Sequence, residues 1–376
     1  MSGTVSHLYV HLPFCAHRCG YCDFVTLVGR RDQHEAYVDA VLTELELERG
    51  VLAGRLDTVF VGGGTPTFTE PSALRRLLRG LPAAAEVTME ANPETVTAEV
   101  AALLAQEGVT RVSLGAQSFQ PHVLETLERQ ATPEDVRRAV YALRVVQIAN
   151  ISLDLIYGVP GQGAADLDAD LREALALEPE HLSCYELEAK PGTRFTCAHG
   201  EELRRQSEAM EGYFEQVVEQ LTAAGYRWYE TANFCRLTGS AGGRDLRARH
   251  NLAYWLGRDY LGLGIGAVST VGSERARNTP RLGPYVRALA AGQLPPREIE
   301  ALSGDVRRRE RVMLGLRLDE PLMLADVVEA VDLGAVRRLE RLGLARLGTA
   351  AKTGRTIALT PRGRFLGGGV TAELLV

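Results

Sequence analysis

The sequence predicts an α/β protein, a partial (βα)6 barrel followed by a C-terminal winged-helix-like α+β domain. Three observations predict it. From residue 7 to about 190, short apolar runs alternate with amphipathic stretches of helical period, the pattern of βα units around a parallel sheet. Polar residues and glycines gather at the C-terminal ends of those runs (Cys15, Gly62–Thr65, Glu90, Gln117 and Asp154), as at the working face of a barrel. After about residue 190 the alternation stops and a differently patterned region begins.

In order, His7–Leu12 reads as a strand that runs straight into a cysteine-bearing loop. Asp32–Arg49 has helical apolar spacing and stops at Gly50, a common helix terminator. Asp57–Val61 is a strand closed by Gly62-Gly63-Gly64. Further strands are predicted at Glu86–Ala91, Arg111–Gly115, Ile151–Ile156 and His181–Leu187, with helices between them, among them Pro133–Val146 and Ala165–Leu177. Six such units favour an open or partial barrel over a doubly wound sheet. Beyond them, Glu202–Ala224 is helical and Tyr226–Glu230 is a strand candidate. A basic, glycine-containing loop, Gly239–Arg249, precedes His250-Asn251-Leu252-Ala253-Tyr254-Trp255 and a glycine-rich run, Leu261–Val268. From Pro295-Pro296 a compact helical unit holds Ala335–Leu342, short strands at Ala345–Leu347 and Thr356–Leu359, and Pro361-Arg362-Gly363. The division this implies is a barrel over 1–232, an extension over 233–294 and a C-terminal domain over 295–376.

Composition narrows the function classes. A net charge of −6 gives no electrostatic footprint for nucleic acid, so the winged-helix-like tail reads as a packing or lid element. No apolar run approaches the roughly 20 residues that cross a bilayer, and no signal peptide is visible, so the expected location is the cytoplasm. Six cysteines are too few for a disulfide scaffold in a chain of 376 residues. Three are scattered (Cys184, Cys197 and Cys235) and read as bystanders.

The other three form Cys15-x3-Cys19-x2-Cys22 on one loop. Thiolates are soft ligands for zinc, copper(I) or iron–sulfur clusters. A structural zinc site needs a fourth ligand. His11 and His17 are near in sequence, but His11 lies on the strand and His17 inside the loop with poor reach. A [4Fe–4S] cube on three cysteines leaves one iron open to an external ligand, and the spacing favours that reading. A glycine triplet such as Gly62-Gly63-Gly64 allows close backbone approach to a ligand, and Glu90 at a strand end could accept hydrogen bonds from ribose hydroxyls.

The CxxxCxxC spacing, with Tyr21 before its last cysteine, resembles the radical S-adenosylmethionine (SAM) superfamily. There the open iron binds the amino and carboxylate groups of SAM, and reduction of the cluster cleaves it to a 5′-deoxyadenosyl radical. YVHLPFC, FVGGGTPT, MEANPET, LGAQSF, LDLIYGVPGQ, HNLAYW and LGLGIGA are similar to the oxygen-independent coproporphyrinogen III oxidase family, on its heme-chaperone branch. The resemblance implies a cluster on Cys15, Cys19 and Cys22. It implies SAM contacts from Tyr9, Tyr21, Gly63, Gly64, Thr65, Glu90, Gln117, Arg129, Asp154 and Val268, with Arg129 neutralising the SAM carboxylate. It also implies heme binding by His250, Asn251, Tyr254 and Trp255, with Arg244, Arg247 and Arg249 upstream as candidates for the propionates. Heme would pass to an acceptor hemoprotein, a respiratory one in this reading, from a monomer or a homodimer.

The alternative is the oxidase itself, which decarboxylates propionates to vinyl groups. Two departures stand against it: Phe24 occupies the position of a fourth cysteine, and only 14 residues precede Cys15. Ala131 also stands where relatives carry a histidine.

Overall fold

Within the first strand, β1 (His7–Leu12), Leu8, Val10 and Leu12 are fully buried against the helical layer, while His7 and His11 turn polar rings to the other face. This alternation, repeated along the barrel, gives an apolar outer layer and an unusually polar interior. The computed structural model describes residues 4–190, 194–238, 244–350 and 354–376. Residues 239–243, the start of the predicted basic loop, lie outside the described residues.

The next strands are β2 (Leu56–Gly63), β3 (Ala84–Ala91), β4 (Arg111–Gln117), β5 (Asn150–Tyr157) and β6 (His181–Glu186), then β7 (Tyr226–Glu230), β8 (Asn233–Arg236) and β9 (Leu261–Leu263). They form one nine-stranded sheet in the order β9-β1-β2-β3-β4-β5-β6-β8-β7. Neighbours from β9 to β6 run parallel, and β8 and β7 add on antiparallel, so the sheet is an open barrel and not a closed one. Helices α1 (His34–Glu48), α2 (Pro71–Gly80), α3 (Ala98–Gln106), α4 (Pro133–Val145) and α5 (Ala164–Ala176) make the crossovers. Their starts follow local rules: Thr132 caps α4 with a capping box and Pro133 occupies its first turn. Leucine and valine faces from these helices and the outward strand residues share one hydrophobic core.

The predicted helix over 202–224 is two helices, Arg194–Ser207 and Met210–Ala223. Both are anchored to the loop after β5, which explains the break: Gln206 Nε2 donates to Val159 O and Gln162 O, and Tyr213 Oη donates to Gln162 O at 3.0 Å. The glycine-rich run supplies edge strand β9, and a three-stranded sheet follows it, Val268–Val271, Glu274–Asn278 and Arg297–Ala301. That last strand lies beyond Pro295-Pro296 and pairs back onto Glu274–Asn278.

After Gly304 the chain builds a second, separate core. It comprises helices Gly304–Gly315 and Leu333–Arg341 and an antiparallel sheet ordered Leu322–Met323, Gly354–Leu359, Ala345–Ala350. Two short helices, Pro361–Phe365 and Gly367–Leu374, close the chain. This arrangement is compatible with the winged-helix-like expectation.

Candidate functional site

The C-terminal ends of the parallel strands open onto one cavity of about 950 Å³. Its floor is the polar interior of the barrel, and its far wall comes from the C-terminal unit. Cys15, Cys19 and Cys22 enter it from the loop after β1, held where Phe14-Cys15 pairs with Leu27-Val28 and Gly29 N donates to Cys15 O at 2.8 Å.

The loop is seated on the glycine triplet. Gly63 has φ +111°, and a Cβ there would lie 2.4 Å from His11 Nδ1; a Cβ on Gly64 would lie 2.6 Å from the Pro13 carbonyl carbon. Only glycine permits this approach. The N–H groups of Gly63, Gly64 and Thr65 are already used: Gly63 N donates to Glu90 Oε2 at 2.9 Å, Gly64 N to Leu12 O, and Thr65 N to Phe14 O. What the segment can still offer a ligand is carbonyl oxygen, an acceptor suited to an ammonium group.

Two side chains donate toward the thiols. Thr65 Oγ1 lies 3.5 Å from Cys15 Sγ, and Arg129 Nη1 lies 3.6 Å from Cys19 Sγ. Burial raises the Cys15 thiol pKa, with the Thr65 hydrogen bond opposing; burial likewise raises Cys22, against a hydrogen bond from Phe24. Arg129 is fixed by Nη2 donating to Gly115 O at 2.8 Å and Asn92 Oδ1 at 3.1 Å, and its buried Nε has no partner. Burial pushes Glu90 up to about 7, with the Gly63 N–H opposing and the Asp154 charge adding. Burial pushes Asp154 up to about 6, against hydroxyl hydrogen bonds from Ser183, Ser113 and Ser152. Gln117 sits at a break in the β4–β5 register with φ +64°, a conformation costly for any residue but glycine and a common mark of a functional position.

Cys15, Cys19, Cys22, Tyr21, Gly63, Gly64, Thr65, Glu90, Gln117, Arg129 and Asp154 therefore all line one cavity, as do Asn92, Ser113 and Gly115, which the sequence reading left unassigned. Asn92 sits in the MEANPET stretch, two residues after Glu90. Tyr9 and Val268 do not line it. Tyr9 bonds His11 Nδ1 at 3.0 Å and stacks on Phe60 beneath the cavity, and Val268 opens the strand beyond β9. His11 has both ring nitrogens engaged, the second with Val25 O at 2.8 Å, and is no fourth thiol partner. No set of three or more His, Cys, Asp or Glu side chains closes around a single ion among the described residues.

The residues expected to bind heme, His250, Asn251, Tyr254 and Trp255, are placed away from the thiols. They lie on a short helix, Arg249–Trp255, that plugs the opposite end of the barrel, and none of them lines the cavity. His250 is 1% exposed, its Nδ1 is 2.7 Å from Thr58 Oγ1 and its Nε2 is 2.9 Å from Tyr254 Oη. Glu86 Oε1 accepts from Arg249 N at the start of this helix. Both imidazole nitrogens are taken, and burial drives the ring pKa down to about 3. Trp255 reaches the cavity indirectly, with its ring 4.4 Å beneath the Arg317 guanidinium. Two of the upstream arginines are committed elsewhere, Arg244 donating to Ala149 O and Arg247 pairing with Asp245 and Glu320, while Arg249 is exposed.

Three thiols beside a glycine cradle at the mouth of a parallel partial barrel define a radical SAM protein, and the Radical SAM superfamily model matches residues 9–174. That class implies a [4Fe–4S] cluster and SAM as cofactors, and the donor set fits: soft thiols, carbonyl acceptors and an arginine with an unused buried N–H. The chain is 36% identical to the heme chaperone HemW of Mycobacterium tuberculosis over all of its length and 96% of that protein's. It is 31% identical to the heme chaperone HemW of Bacillus subtilis, over 98% of each. Coproporphyrinogen III oxidase (HemN) from Escherichia coli, a radical SAM enzyme, shares the fold with a TM-score of 0.78 at 24% identity, over 98% of this chain and 90% of that one. Within the superfamily, the chain belongs to the HemW heme chaperone family.

Proposed function

We propose that this protein carries heme to an acceptor hemoprotein in the cytoplasm, with a [4Fe–4S] cluster on Cys15, Cys19 and Cys22 and SAM beside it. The observation that carries the reading is the single cavity joining the thiol loop to an apolar wall of the C-terminal unit. Among the described residues no helix is long and apolar enough to cross a membrane. When bound, the cluster supplies one-electron chemistry and an open iron site. The chain's own groups divide the remaining work. When SAM is bound, carbonyls of the glycine segment would accept from its ammonium group, Arg129, whose buried Nε is unpaired, would neutralise its carboxylate, and Glu90 and Asp154 would accept from its ribose hydroxyls. Thr65 and Arg129 donate toward Cys15 Sγ and Cys19 Sγ.

Heme titration run beside an anaerobic coproporphyrinogen III assay tests this. Heme binding without conversion to the vinyl product is the expected result; conversion at an enzymatic rate would replace it with the oxidase reading, which the shared fold alone favours. Phe24, 64% exposed at the cavity rim, stands where the oxidase would place a further thiol. Replacing Cys22 with Ser should abolish the broad visible absorbance regained on anaerobic reconstitution with iron and sulfide.

A further inference from the structure

Arg364 lines the cavity from the C-terminal unit, is only 7% exposed, and its Nη1 has no hydrogen-bond partner. A buried guanidinium with an unpaired donor is costly unless an anion completes it. The two carboxylates whose charges act on it, Asp319 and Glu230, are already committed. Asp319 receives both Nε and Nη2 of Arg227, at 2.7 and 3.0 Å, and Glu230 receives Arg317 Nε at 2.6 Å together with Asn233 and the Ala232 N–H.

The group is also held in place. Its guanidinium lies 4.4 Å over the Trp228 ring, which is fixed by Nε1 donating to Thr231 O at 3.1 Å. The next residue, Phe365, packs on Phe214 with ring centroids 5.3 Å apart. Around it the wall is apolar: Phe214, Leu316, Leu359, Phe365 and Leu375. Stacking on an aromatic face leaves the edge of the guanidinium fork free for a planar anion such as a carboxylate.

We propose that Arg364, stacked on Trp228, is a receptor for a carboxylate of a flat, mostly apolar ligand lying against the C-terminal wall. With the heme-carrier reading, on which this rests, the group it receives is a heme propionate. Nothing in the sequence near Arg364 marks it, and Arg244 and Arg247, which precede the HNxxYW stretch, are paired elsewhere.

The probes are heme and heme dimethyl ester, titrated against the full chain with its cluster in place. The parent should bind heme at least about tenfold tighter than the ester, as a charge-assisted hydrogen bond implies. Arg364→Gln should weaken heme by about 10- to 100-fold and leave the ester unchanged, with Arg364→Lys in between. Equal affinity of the parent for heme and ester overturns the proposal and needs no variant. So does an Arg364→Gln protein that keeps its heme affinity, or one that loses both ligands equally, the mark of a merely structural role. A parent that binds neither porphyrin fails the heme reading itself, and the receptor falls with it; a parent that binds heme while Arg364→Gln is silent fails the receptor alone.

Discussion

Glu90 shows how a single buried group makes ligand-free stability depend on pH. Its folded pKa, about 7, lies above the value of about 4.3 expected in an unfolded chain. Its contribution is therefore complete below that unfolded value and is lost as pH rises through about 7. Glu90→Gln keeps an acceptor for Gly63 N–H without the charge. The ligand-free variant should be more stable than the parent at pH 8 by on the order of 3 kcal/mol, the two converging below about pH 4. Thermal melts across that range check it, and parallel curves would show that Glu90 ionises freely. His250 has the opposite sign. Its folded pKa, about 3, lies below that of a free imidazole, so its contribution is present above about pH 6.5 and fades as pH falls. His250→Ala removes a buried ring with two hydrogen bonds and should cost about 2–4 kcal/mol at pH 7, less at pH 5, with heme stoichiometry unchanged. Loss of heme without loss of stability would restore it as a ligand.

At the scale of elements, what was legible in the sequence was what local chemistry dictates. The strand ends that carry Cys15, Gly63, Glu90, Gln117 and Asp154 were readable because a parallel barrel delivers every strand end to the same face. The placement of the HNxxYW stretch was not legible, because its residue types suit a heme site while its burial is set by contacts with Thr58 and Glu86 far away in the chain. Arg364 was invisible for the same reason, since its loneliness depends on which arginines have taken Asp319 and Glu230. The short helix Pro361–Phe365 that presents it starts at Thr360, whose side chain accepts from Gly363 N. A Cβ on Gly363 would lie 1.9 Å from Leu344 O, a backbone atom that cannot step aside. Gly363→Ala should therefore shift this helix, lower stability by about 1–3 kcal/mol and weaken heme binding together with it. Unchanged melting and heme affinity would mean that the helix tolerates displacement and does not position Arg364.

For the whole molecule, the barrel core and the C-terminal core are separate hydrophobic clusters, and much of what joins them is polar. Arg227 of β7 grips Asp319 with two hydrogen bonds, Asp319 N donates to Tyr229 O at 3.0 Å, and Arg317 reaches Glu230. A carrier must hold its cargo and then release it, and a ligand cavity walled by both units opens when they part. Polar joints of this kind are weaker than a shared apolar core and more easily traded for a partner's contacts. The side chains of Arg227 and Asp319 are partly exposed, 35% and 26%, so solvent screening limits the pair to about 1–2 kcal/mol. Asp319→Asn keeps the shape and removes the charge. The expected result is that a single thermal transition in the parent broadens or divides, with the C-terminal unit melting first. Heme, by contacting both walls, should raise the lower transition back toward the upper one. One unaltered transition in Asp319→Asn, followed by calorimetry with and without heme, would show that the two cores are coupled through other contacts and that release does not proceed by their separation.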